Sequence, residues 1–402
     1  MANNNWWSQK PFVYTLIGLA FWTFLDLRTM SKFSDEGEGR RSLSTTTNIS
    51  YLKSESTLLP WAHYNLRSVK ERPDPSTDTA LFWHIPKSGG TTAKQLYQCM
   101  GKTLTIRIGV DPRYGHDQSD ELTVFKPIEG KDWKTVNVDT ISEQGILRAE
   151  EMGLVPSGKA DIIFAMDVNF ASAHLFDRLH KGRVLSIFRH PVDRLVSKFY
   201  YLQTATWERT YKPEWADMSI MEWAEKHNVD ENFLVKKIVG KKLTDEAGMA
   251  DLIIAKEIVR RRFIVGLLDK MEDSVRRFNV MLGVDESDEK SKECMNEVFG
   301  TASDGDKQDE KESVGDEGDE IDTSVEINTN SNKHPKIVEG MPEYELLAER
   351  NSLDMILYNY IRLLFNEQKT VINKYAREAQ VQKTRESDLV TNVQRKRQLG
   401  SR

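Results

Sequence analysis

Four short apolar runs do most to limit what this chain can become: TALFWHI (79–85), ADIIFAM (160–166), RVLSIFR (183–189) and FIVGLL (263–268). Each has the length and the β-branched or aromatic content of a buried strand. Behind the first, Ala93, Leu96, Tyr97 and Met100 recur at i, i+3, i+4 and i+7, one apolar helix face. Behind the second, ASAHLFDRL reads as a short helix. Behind the third, Pro191 suits a first helical position, and Val192, Leu195, Val196, Phe199 and Tyr200 repeat at helical spacing. A long late helix is predicted over EYELLAERNSLDMILYNYIRLLF (343–365). This alternation predicts an α/β fold with a mostly parallel sheet between two helical layers. A chain of 402 residues, 39% hydrophobic, is large enough to bury such a core.

The sequence divides unevenly. Residues 1–10 form a short tail. PFVYTLIGLAFWTFL (11–25) is apolar apart from two threonines, with Trp6 and Trp7 ahead of it, and it predicts a membrane signal-anchor over 11–27. Residues 28–78 read as a stem, the globular domain runs over 79–377, and 378–402 is a polar tail. Arg28, Lys32, Arg40 and Arg41 follow the apolar run, so the positive-inside rule alone puts the bulk of the chain in the cytoplasm. The sequon Asn48-Ile49-Ser50 argues for the lumen, and the two signals conflict. Residues 285–332 are dominated by Asp, Glu, Ser and Gly and read as a disordered acidic insertion. The net charge of −6 points to neither a nucleic-acid partner nor a membrane-surface one. Two cysteines, Cys99 and Cys294, are too few for a disulfide framework and lack metal-site spacing. A single bridge between them is open but not expected, because Cys294 borders the acidic insertion.

The chemistry concentrates in FWHIPKSGGTTAKQL (82–96). Gly89 and Gly90 allow a tight turn and close approach of a ligand to the backbone. The helix that follows aims its free N–H groups at the same point. Lys87 adds a cation, and Ser88, Thr91 and Thr92 add hydroxyls. This is phosphate-binding logic without the Walker pattern, since the lysine precedes the glycines and no Gly-Lys-Ser or Gly-Lys-Thr closes the loop. A second cluster, FRHPVDRLVSKFYY (188–201), puts Arg189 at a strand's C-terminal end, where open α/β sheets bind ligands. Arg194 and Ser197 share a helix side and suit a second phosphate, although Arg194 equally suits an ion pair with a nearby acid.

The ordered pair HIPKSGGTT and RHPVDRLVS resembles the two signatures of sulfotransferases that use 3′-phosphoadenosine 5′-phosphosulfate (PAPS). With the later FIVGLLDKMEDSV, it resembles Golgi carbohydrate sulfotransferases of the heparan-sulfate 2-O-sulfotransferase type, over residues 81–369. The resemblance implies a P-loop-like three-layer fold, PAPS as co-substrate without a metal, and a carbohydrate acceptor. It also implies a single-pass type II protein of the Golgi membrane with a lumenal domain. Lys87 would then contact the oxygen bridging phosphate and sulfuryl group. Ser88, Gly89, Gly90, Thr91 and Thr92 would hold the 5′-phosphate, and Arg189 and Ser197 the 3′-phosphate. Asn330 to Lys333 would fall where relatives close a polar loop over the nucleotide.

The pattern departs at the general base. Where such relatives carry a histidine, FAMDVNF places Asp167, with His174 further along the helix as the other candidate. Asp167 also suits a helix cap and His174 a surface pair, and His84 is expected to brace the loop. Lys236, Lys237, Lys241, Lys242 and the run Arg260–Arg262 offer charge for an acidic glycan, or equally for solvated helix faces. Two other functions fit parts of the pattern: a non-catalytic nucleotide- or glycan-binding relative, and a P-loop-type phosphotransferase.

Overall fold

A computed structural model describes residues 58–74, 77–105, 119–126, 130–206, 211–226, 230–300 and 334–399, with side chains as far as 385. The four apolar runs are the centre of its sheet: β1 (Thr79–Trp83), β5 (Ile162–Ala165), β6 (Gly182–Phe188) and β7 (Phe263–Leu267). Three shorter strands extend it, β2 (Thr103–Thr105), β3 (Val124–Phe125) and β4 (Lys134–Val136). The order is β3-β4-β2-β5-β1-β6-β7, parallel throughout except for the β3–β4 pair. Alternate residues of one strand feed opposite cores, as strand geometry requires. Leu81, Trp83, Ile163, Ala165, Phe263 and Val265 point to one side, and Ala80, Phe82, Ile162, Phe164, Leu185 and Ile264 to the other.

Helices cover both faces. In chain order they are α1 (Pro60–Tyr64), α2 (Gly90–Cys99), α3 (Glu143–Glu151), α4 (Val168–Leu175), α5 (Pro191–Thr204), α6 (Ile220–Lys226), α7 (Phe233–Val239), α8 (Met249–Arg262), α9 (Met271–Leu282), α10 (Glu289–Phe299), α11 (Pro342–Arg350) and α12 (Ser352–Leu399). The long helix predicted over 343–365 is two helices. Asn351 divides them because its side chain is engaged twice: Nδ2 donates to the Leu347 carbonyl, and Oδ1 accepts the Asn232 N–H at 3.0 Å. The second of the two, α12, belongs to both cores. Leu357, Ile361, Leu364 and Phe365 join one, and Ile372 and Tyr375 join the other. As it passes the edge strand β7, the Gln368 amide accepts from the Val265 N–H (3.0 Å) and donates to the Phe263 carbonyl (2.7 Å). The exposed edge of a buried strand is thereby sealed by one side chain.

Two segment readings need correction. Residues 289–299, read from composition as the start of a disordered insertion, form α10. Asp288 caps it by accepting the Ser291 N–H, and Cys294 and Met295 are buried. Cys294 is disulfide-bonded to Cys99 of α2, with Cα atoms 5.9 Å apart, the bridge that the sequence left open without favouring it. Charge density hid a helix that needs only one apolar side and a covalent anchor. The tail read as polar from 378 continues α12 to Leu399, exposed from Ala379 to Arg385. Among the described residues no helix is long and apolar enough to cross a membrane. The anchor stretch 11–27, Asn48, most of the stem and the rest of the insertion, including Asn330 to Lys333, lie outside them.

Candidate functional site

The site is fixed by where the chain reverses direction across the sheet. From β1 the chain crosses to β2 on one side, and from β6 it passes to β7 on the other, while β1 and β6 are neighbours. The C-terminal ends of such a strand pair leave a crevice between their diverging connections. Residues 84–89 leave β1 there, and Arg189 leaves β6.

The loop is held in a backbone shape that most residues avoid. Lys87 has φ 63° and Gly89 φ 83°, both left-handed, so the chain folds back on itself before α2 begins at Gly90. Neither glycine can be replaced freely. A Cβ on Gly89 would meet Leu268 Cδ1 at 2.7 Å, and one on Gly90 would meet His84 Cδ2 at 2.1 Å. The His84 ring therefore packs directly against the first residue of α2. No side chain caps that helix start, so its first N–H groups and dipole face the crevice. The Ser88 hydroxyl is buried and has no hydrogen-bond partner among the described residues. Buried hydroxyls are normally satisfied, so an orphan here fits a site built for an acceptor that the protein does not supply.

Two contacts join the halves of the site. Arg189 Nη1 donates to the Lys87 carbonyl at 3.1 Å, and Lys87 Nζ sits 4.0 Å from the centre of the Tyr201 ring on α5. Burial lowers the pKa of Arg189, a sign of how far its cation is withdrawn from water. Ser197 is buried one turn before Tyr201 on the same helix. The structure thus brings together Lys87, Ser88, Gly89, Gly90 and Arg189, with Thr91 and Thr92 in the first turn of α2 and Ser197 on α5. Tyr201 was not singled out from sequence. The predicted apolar face of α5 carried Tyr200, whereas Tyr201 is the more deeply buried of the two, and only the overlap of ring and ammonium marks it.

Arg194 does not face the crevice as a free fork. Its Nη1 is 2.9 Å from Asp230 Oδ2, its guanidinium lies over the Phe233 ring, and Lys198 Nζ holds the other Asp230 oxygen at 2.9 Å. The ion pair open to Arg194 from sequence is thus the one formed, with an acid that is buried. Burial works to raise the pKa of Asp230, but Lys198 and Arg194 outweigh it and hold the carboxyl at about 2. Next to it, Asp354 of α12 accepts the N–H groups of Leu234 and Val235, capping α7 from outside. Complete burial nonetheless pushes it up to about 6. His190, between Arg189 and α5, stacks on Tyr344 and meets Tyr358 edge-on; burial lowers its pKa, so it favours the neutral ring.

The two candidate bases part company. Asp167 stands at the C-terminal end of β5, on the edge of the sheet that carries the loop, but it is already engaged. Oδ1 accepts the Phe170 N–H as the α4 cap, and Oδ2 is 2.8 Å from Lys237 Nζ. His174 is on the last turn of α4, and that helix runs back toward the N-terminal edge of the sheet. There its Nδ1 is 2.8 Å from Glu150 Oε2. The structure does not bring His174 to the crevice. The basic runs are also largely spent. Lys236 donates to the Leu243 carbonyl, Lys237 pairs with Asp167, Lys241 with Asp251, and Arg260 and Arg261 with Glu257. Comparison with protein-family models and with curated proteins finds no match.

Proposed function

We propose that this protein is a P-loop-like sulfotransferase that moves a sulfuryl group from PAPS to a hydroxyl of a carbohydrate. The observation that carries the reading is the meeting of the two motifs at one crevice, with Arg189 bonded to the Lys87 carbonyl at 3.1 Å. The residues present fit the nucleotide. The uncapped start of α2, the strained turn at Lys87 and Gly89, and the orphaned Ser88 hydroxyl suit a 5′-phosphate. Arg189 and Ser197 are the groups for a 3′-phosphate. PAPS supplies an activated sulfuryl group, so no metal is called on. Lys87 would leave the Tyr201 ring to stabilise charge growing on the bridging oxygen, and the left-handed turn presets its direction. Asp167 would serve on the acceptor side, with Lys237 setting its orientation.

The Cys99–Cys294 bridge supports a lumenal setting, since such bonds persist in oxidising compartments. Together with the apolar stretch 11–27 and the sequon at Asn48, it favours a Golgi type II membrane protein. A second reading draws on the engaged state of Asp167 and the remoteness of His174: a relative that binds the nucleotide and a glycan but transfers nothing. Calorimetry separates sulfotransferase-type pockets from phosphotransferase ones. Expected is metal-independent binding of 3′-phosphoadenosine 5′-phosphate well above that of ADP, and a loss of at least about tenfold in Arg189→Ala. Equal affinity for the two nucleotides, or a need for Mg²⁺, would sink the proposal. Transfer of labelled sulfate to a mixed glycan pool, abolished in Asp167→Asn with nucleotide affinity kept, separates the enzyme from the binder.

A further inference from the structure

Asp167 follows β5 and Ser197 lies on α5, so the two belong to strands on either side of β1, and one short helix joins them. Helix α7 has seven residues, too few to be stable alone. Phe233, Leu234, Val235 and Ile238 bury it, and polar contacts at its two ends set where it sits. At the front end, the Asp230 carbonyl accepts the Phe233 N–H. The Asp230 carboxylate is buried against two cations of α5: Arg194 Nη1 is 2.9 Å from Oδ2, and Lys198 Nζ is 2.9 and 3.0 Å from the two oxygens. Arg194 and Lys198 are one turn apart and bracket Ser197. At the far end, Lys237 Nζ is 2.8 Å from Asp167 Oδ2. Gly240 closes α7 there with φ 77°, and a Cβ on it would meet Asn169 Nδ2 at 2.6 Å. The helix end is therefore seated on the first turn of α4.

Further contacts tie the same parts together. The Phe233 ring has the Arg194 guanidinium 4.7 Å from its centre and the Trp83 ring stacked 6.5 Å away. Trp83 Nε1 in turn donates to the carbonyl of Met166, the residue before Asp167, at 3.0 Å. From outside, Asp354 accepts the Leu234 and Val235 N–H groups, and Asn232 Oδ1 accepts those of Leu353 and Asp354. A buried carboxylate with two cations is a costly way to hold a helix, since an apolar cluster of similar volume often serves stability as well or better. What the charged cluster adds is direction, because each of its bonds fixes one atom to another. Rotation of α7 about its axis would carry the Lys237 ammonium away from Asp167, and Asp230 is the group that ties that rotation to α5.

We propose that Asp230 is a positioning residue for Asp167: by fixing α7 against α5, it holds in place the Lys237 ammonium that orients the Asp167 carboxylate. Its bearing on transfer rests on the sulfotransferase reading; the linkage itself does not. The full chain is labelled with 13Cγ-aspartate, and the Asp167 resonance is identified by its loss in Asp167→Asn. Asp230→Asn is expected to move that resonance in the direction that Lys237→Met moves it, and to add nothing in the Lys237→Met background. A resonance that stays in place in Asp230→Asn, or that moves equally with and without Lys237, overturns the proposal. Should Asp230→Asn not fold, Arg194→Met/Asp230→Leu removes both members of the buried pair and is read in the same way. Calorimetry and transfer of labelled sulfate to the glycan pool then separate this role from the reading it rests on. Helix α5 is held by its own apolar face, so Asp230→Asn should keep its affinity for 3′-phosphoadenosine 5′-phosphate within about threefold. Transfer should fall by about tenfold to a hundredfold. Equal losses in affinity and transfer would put Asp230 on the nucleotide side alone and overturn the positioning role. A wild type that does not bind the nucleotide sinks the sulfotransferase reading and leaves the resonance test to decide the linkage.

Discussion

Asp230 and Asp354 sit side by side in the same buried place with opposite titration behaviour, and each leaves a signature on stability. Asp230, held near 2 by Lys198 and Arg194, stabilises the fold at pH above the ordinary aspartate value near 4, and that contribution disappears as pH falls toward 2. Asp354, raised to about 6, does the reverse. Its folded form holds a proton that the unfolded chain releases near pH 4, so its contribution is complete below pH 4 and lost as pH rises through 6. The window is worth about 3 kcal/mol at roughly 1.4 kcal/mol per pKa unit. Urea melts of wild type and Asp354→Asn should therefore show a stability gap that narrows by about that amount between pH 4 and pH 7. A gap constant with pH would mean that Asp354 is ionised throughout. Neither acid was legible in sequence as a buried group, and Asp354 falls in the middle of the helix predicted over 343–365, because burial is a property of what packs above it. Asp167 was legible as a cap, since an acid directly before an apolar helix is a local signal. Its partner Lys237, seventy positions away, was not.

Among the elements, the four long strands could be read because each fills with β-branched and aromatic residues over four to seven positions. Strands β2, β3 and β4 have two or three residues each, too few to show a period, and owe their existence to the neighbours that pair with them. The α2–α10 link was hidden for a similar reason. Spacing along the chain says nothing about a Cα separation of 5.9 Å across 195 residues. That bridge closes a long loop onto the very helix whose start lies at the crevice. Cys99→Ser or Cys294→Ser should each cost about 2–5 kcal/mol in chemical unfolding. Dithiothreitol should lower wild-type stability to the level of either variant and leave the variants where they are. A reductant-insensitive wild type would mean that the bond contributes nothing to the folded state.

For the whole molecule, the controlling feature is α12, which serves one core with Leu357, Ile361 and Phe365 and the other with Ile372 and Tyr375, sealing β7 on the way with Gln368. A chain ending at Phe365 loses the seal and part of the second core, and should be recovered as aggregate, since an uncovered strand edge templates further pairing. A chain ending at Arg385 keeps every α12 contact described above and should melt within a few degrees of the full protein. Equal solubility of the two would overturn the role given to α12. The same arrangement dictates what happens during translation. A ribosome making this chain releases the strands, the loop and the crevice before it releases α12, the segment that closes both sides of the sheet. The nascent protein therefore waits, with its last strand edge open, until α12 has emerged, and holdase chaperones have their longest claim on it in that interval.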